Sequence, residues 1–319
     1  MNRRYDRTLV FSFLGAALVC TSPNVAAAES LRADVAKATF LLYEPIAVHV
    51  TLNLDEPIVV NWEDPHEAQR QLGRLPRRLR IELRDQDEAK VSETVLIGTE
   101  FMRLEESSKE FPTSGLAFFR MPKNRGDVTP ALEPGDYTIV VLDYSNRKLK
   151  SNTIAVELVA AQGRDLLAEE LFRLSLPDGI VVINGQEVDA AVMNCVEELA
   201  RDYGETVYGR YAVVGLALIR FQETFAEHNI RGGAAVWEPV ARELAAAEKL
   251  FTGKHPLREK ALFDLARAHA ISRDYARTRQ TLAALKKDFP RGKLGSKSAQ
   301  FEEEISQLEK QNRPNGEQP

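Results

Sequence analysis

The stretch IAVELVAAQGR, residues 154–164, decides how this chain is read. Its first part alternates, with Ile154, Val156 and Leu158 on one side and Ala155 and Glu157 on the other. That is the period of a half-buried strand. Gly163 marks a break in composition, and from Arg164 onward the apolar residues recur with the period of a helix.

Upstream, the period of two persists from Leu31. Ile46, Val48, Val50, Leu52 and Leu54 form one apolar face, and Leu79, Ile81 and Leu83 another, backed by Arg78, Arg80, Glu82 and Arg84. The polar run at 85–88 reads as a turn, and further strands are expected at 40–43, 91–97, 116–121 and 137–141. LEPGDY at 132–137 resembles the L-x-P-G-x-Y approach to a late strand of immunoglobulin-like modules, where the tyrosine hydroxyl closes the turn. The Cys-Trp-Cys set of true immunoglobulin domains is missing, so the resemblance concerns architecture. Residues 61–76 fit no strand and read as an insertion.

Downstream, Val188, Ala191, Val192, Cys195, Val196 and Leu199 step along one helix face. Five more helices are expected at 210–225, 234–251, 257–273, 274–289 and 296–311. The junctions YGETVYGRYA (203–212), FTGKHPLREKA (251–261) and FPRGKLGSKSA (289–299) share an aromatic helix end, a Gly or Pro break and a following Ala. Such recurrence marks stacked helix pairs. Residues 259–290 resemble a tetratricopeptide repeat. Leu262, Leu265, Ala266 and His269 stand at its W, L, G and Y positions, and Thr278, Leu282, Leu285 and Pro290 at A, F, A and P. Thr278 and His269 depart from the pattern, and a loop at 224–233 lengthens the preceding unit. The flavour is that of exported bacterial proteins of the outer-membrane assembly lipoprotein type.

The expected architecture is therefore multidomain β + α. A signal peptide occupies 1–28 and an antiparallel Ig-like β-sandwich 29–160. An all-α TPR-like array of helix pairs follows at 161–311, with a disordered tail at 312–319. The signal rests on the basic start Arg3, Arg4 and Arg7, an uncharged apolar run at 8–20 and Ala26-Ala27-Ala28 as the cleavage site. An uncleaved anchor and a lipoprotein acylated at Cys20 are the alternatives. An apolar run of that length is too short to span a bilayer, and none downstream is longer. The expected location is periplasmic or secreted.

The 319 residues carry 42 Lys plus Arg against 47 Asp plus Glu, a net charge of −5. An acidic chain argues against nucleic-acid binding, which needs a basic footprint. Loss of Cys20 with the signal leaves only Cys195, on an apolar helix face, so no internal disulfide forms. No HExxH, GxSxG or phosphate loop occurs, and the five histidines have no helical metal spacing. No catalytic residue, metal or cofactor is expected.

The sequence thus points to a non-enzymatic scaffold whose helical surface binds a peptide or protein partner in the cell envelope. Candidate groove residues are Arg210, Arg220, Arg258, Asp264 and Arg267, at first-helix positions. Two alternatives stand beside it: ligand binding by the sandwich itself, or an enzyme with a site near Trp62, Glu63, Asp64, His66 and Glu67. The cluster Arg70, Arg74, Arg77, Arg78, Arg80 and Arg84 reads as a solvated strand face paired with acids such as Glu110.

Overall fold

The computed structural model describes residues 29–58, 66, 79–97, 108–119, 132–143, 149–175, 190–228, 233–290 and 292–312. The expected signal peptide, most of the 61–76 insertion, Arg70 to Arg78 of the basic cluster, and residues 313–319 of the tail lie outside them.

Among the described residues eight strands come first: β1 (Ser30–Val35), β2 (Thr39–Leu41), β3 (Ile46–Ile58), β4 (Leu79–Arg84), β5 (Lys90–Val95), β6 (Ser108–Ala117), β7 (Gly135–Asp143) and β8 (Ile154–Val159). β1, β3 and β6 form an antiparallel three-stranded sheet. A five-stranded sheet runs β2-β8-β7-β4-β5, with β2 parallel to β8 at its edge. Alternation works as the sequence predicts. Val48, Val50 and Leu52 of β3 share one hydrophobic core with Leu79, Ile81 and Leu83 of β4 and with Ile139 and Val141 of β7. The Tyr137 hydroxyl donates to the Glu133 carbonyl at 2.8 Å, closing the turn before β7.

Two strand readings shift. β1 adds a strand before β2. β6 lies earlier than the expected 116–121, because Pro112 and Gly115 interrupt its alternation. Gly115 is required there: a Cβ would come within 2.4 Å of the Ile97 carbonyl oxygen.

Helices follow: α1 (Arg164–Ser175), α2 (Ala190–Tyr203), α3 (Val207–His228), α4 (Ala234–Ala247), a 3-10 turn (Glu248–Leu250), α5 (Pro256–Ile271), α6 (Tyr275–Asp288) and α7 (Lys293–Asn312). Among the described residues no helix is long and apolar enough to cross a membrane.

The expected Ig-like sandwich followed by an all-α TPR-like array is overturned. The described chain is an α/β mixture of two sheets and seven helices, strands over 30–159 and helices from 164 on. The helices do not stack only on one another. Phe172 of α1 and Tyr208, Tyr211 and Ala212 of α3 belong to the same hydrophobic cluster as β3 and β4. The Tyr208 hydroxyl donates to the Leu42 carbonyl, and the Tyr211 hydroxyl to the Pro45 carbonyl at 3.0 Å. At this junction Ala47 and Leu116, on the outward face of the three-stranded sheet, are as buried as the core face. The helices also lack a common length: α3 has 22 residues and α4 has 14. Periodicity marks which face of a helix is apolar, and leaves open whether a sheet or a helix covers it.

Candidate binding cleft

α5 begins and ends on specific capping. His255 is its N-cap, accepting from the Leu257 amide at 3.3 Å, and Pro256 takes the first turn. At the far end the Asp274 amide donates to the His269 carbonyl at 2.9 Å and the Arg273 amide to Ala270 at 3.0 Å. That pair of bonds is a Schellman motif, and it places Arg273 at φ 62°, where glycine is the usual occupant. Asp274 then caps α6, its side chain accepting from the Arg277 amide at 3.0 Å.

This turn forms one wall of a cleft of about 860 Å³. The other wall is α4, which presents Ala234, Glu238, Ala241, Arg242 and Ala245. Their spacing puts them on one helical face, and three alanines leave the space open. Glu309 of α7 closes one side.

The cleft's charges divide into two sets. Asp274 is ion-paired with Arg277 at 3.4 Å, and Glu309 with Arg279, which stands outside the cleft. Among the described residues, Glu238, Arg242 and Arg273 find no ion-pair or hydrogen-bond partner for their side chains. Burial, the largest influence on His269, holds its imidazole below its ordinary value, so the ring is neutral at pH 7.

None of the five residues expected to line a groove lies in this cleft. Arg258 is drawn into the helix packing. It contacts Glu248 at 3.3 Å, the Gly253 carbonyl at 3.1 Å and Asp288 at 2.5 Å. Asp264 is 1% exposed and sits between Lys260 and Arg267, each at 3.2 Å. Arg267 also lies 4.9 Å over the rings of both Phe221 and Phe225. Arg220 pairs with Glu243, and Arg210 is exposed on α3. In the basic cluster, Arg80 pairs with Glu93 at 2.6 Å and Arg84 with Glu82 at 2.5 Å.

A second depression of about 770 Å³ lies on the outward face of the three-stranded sheet, with Arg32, Asp34, His49 and Glu110 around it. Strand register sets Asp34, His49 and Ser114 side by side across β1, β3 and β6. These are the residue types of a nucleophilic triad, but the geometry is not that of one. His49 Nε2 is buried with no hydrogen-bond partner among the described residues, so Ser114 does not donate to it. Burial, ahead of the attraction of Asp34, keeps the His49 pKa below its ordinary value. Cys195 is a half-buried free thiol. Among the described residues, no three His, Cys, Asp or Glu side chains converge as metal ligands. Of the loop around Trp62 only His66 is described, and it is exposed.

No protein-family model matches this sequence, and no curated protein matches it as a relative.

Proposed function

We propose that this chain is an exported binding protein of the cell envelope, acting without catalysis. The cleft between α4 and the α5–α6 turn would hold a segment of a partner protein. One observation carries the reading: an alanine-floored cleft whose volume of about 860 Å³ falls among ligand-binding clefts, with unpaired guanidinium groups on both walls. Arginine is a frequent anchor at protein interfaces, and the α4 wall is a regular helix that fixes its side of the cleft. The export part rests on the N-terminal pattern of basic start, apolar run and Ala26-Ala27-Ala28.

The test is a display selection of random dodecapeptides on the full chain, counter-screened on Ala276→Trp. Ala276 lines the cleft and is exposed, so the indole fills space without disturbing the core. The expected result is a set of peptides that bind the native chain and lose the Ala276→Trp variant. Selected peptides that bind both forms equally, or no enrichment at all, would overturn the reading.

A further inference from the structure

The chemistry of the bound segment follows from the cleft's charges, and this step rests on the cleft being the binding site. We infer that the cleft selects acidic segments, with Arg242 and Arg273 as two carboxylate-binding heads on opposite walls.

The argument begins with what is already spoken for. Asp274 has both the Arg277 guanidinium and the Arg277 amide, and Glu309 has Arg279. Removing these satisfied groups leaves Arg242 and Arg273 facing Glu238. The lining carries three arginines and three carboxylates, so once the paired groups are set aside two arginines stand against one carboxylate, in a chain whose net charge is −5. Glu238 stands four residues before Arg242 on the same helical face, the spacing at which ion pairs form, yet the two are not paired.

Arg273 adds a second, independent indication. The Schellman turn needs a left-handed residue, and a side chain there is disfavoured relative to glycine. An arginine in that position carries its charge to the cleft wall at a conformational cost. Strained positions of this kind collect at ligand clamps. A guanidinium binds a carboxylate through two parallel hydrogen bonds. Two such heads, one on α4 and one on the turn, match acidic side chains spaced along one peptide.

Fluorescein-labelled octaglutamate, octalysine and (Gly-Ser)4 are compared by anisotropy on the full chain at two salt concentrations. Variants are Arg242→Gln, Arg273→Gly, the pair together, and Lys249→Gln as an exposed cation away from the cleft. Octaglutamate is expected to bind. Each arginine variant should weaken it about tenfold, as expected for loss of a charge-assisted contact, and Lys249→Gln less than twofold. Arg273→Gly relieves the turn, so lost binding in that variant is not lost folding. Octaglutamate that fails to bind, or binding that falls as much with Lys249→Gln, would overturn the inference. Display peptides that need an open cleft but carry no Asp or Glu would overturn the acidic preference alone. Display peptides indifferent to Ala276→Trp would instead remove the cleft reading beneath it.

Discussion

His255 shows how much one side chain can be asked to do. Its Nδ1 accepts the Leu257 amide, which requires that nitrogen to be unprotonated. Its ring stacks on Phe251 at 3.9 Å and 7°, and Nε2 is buried without a partner. Burial, with His49 and Lys37 adding to it, pushes its pKa down to about 3. Asp34 and Lys254 flank the neighbouring His49, and Tyr211 faces the His255 ring. The folded value lies below the ordinary 6.5, so the unfolded chain takes up the proton first. The stabilising contribution is complete above pH 6.5 and is lost as pH falls toward 3, with a slope reaching about 1.4 kcal/mol per pH unit. His49 acts in the same direction, while Glu44 and Glu169, raised by burial, act oppositely as pH falls toward the ordinary 4.5. Urea unfolding from pH 7 to 4.5 should therefore show a shallower pH dependence in His255→Asn, which keeps a capping side chain. Identical slopes in the two proteins would remove His255 from the account. A second residue-level prediction concerns Tyr211. Tyr211→Phe should cost about 1–2 kcal/mol in urea unfolding, because the Pro45 carbonyl is left buried without its donor.

At the scale of elements, the α5–α6 turn makes opposing demands. Arg273→Gly should stabilise the protein by about 0.5–1 kcal/mol, read from the denaturation midpoint, while weakening octaglutamate. A gain in stability without a loss in binding would make the turn merely strained. Glu259, 3% exposed on α5, accepts the amides of Leu294 at 2.7 Å and Gly295 at 3.1 Å, and so caps α7 from outside that helix. Glu259→Ala should cost about 2 kcal/mol and should lower helix content first in α7, as seen by hydrogen exchange. Many elements were legible because one face of each is apolar: β3, β4, β7 and β8 by alternation, α2 to α7 by helical spacing. α1 was not singled out, because Leu166 and Leu167 are 55% exposed while Ala168 and Phe172 carry its burial. The cleft residues were illegible for a related reason. Arg258 and Arg267 look as free in the sequence as Arg242 and Arg273. Only the packing of α5 against α3 and α6 shows which pairs are spent.

For the whole molecule, the decisive fact is one hydrophobic cluster running from Leu31 through β4 and α1 to Ala268. Residues 161–319 expressed alone should expose the face of Phe172, Tyr208 and Tyr211, bind the dye ANS and lack a cooperative melt. The full chain should unfold in one calorimetric transition. Two resolved transitions would mean that the halves fold apart. The reading of a sandwich beside a separate helical array failed at this scale. A sequence displays the apolar stripe of α3, and Tyr208 and Tyr211 within it, without showing that their hydroxyls end on the carbonyls of Leu42 and Pro45.

The parallel pairing of β2 with β8 sets a clock on synthesis. Thr39 Oγ1 donates to the Glu157 carboxylate at 3.1 Å across 118 residues of chain. At ribosomal speeds of about 5–20 residues per second, β2 waits roughly 6–24 s for β8, its sheet neighbour among the described residues. Throughout that interval β8, whose Leu158 pairs with Phe40, does not yet exist. The first half of the nascent chain is thus kept open until its last strand emerges, and α1 follows within five residues of that strand. Sheet closure and helix docking become nearly simultaneous events, late in the life of the growing chain.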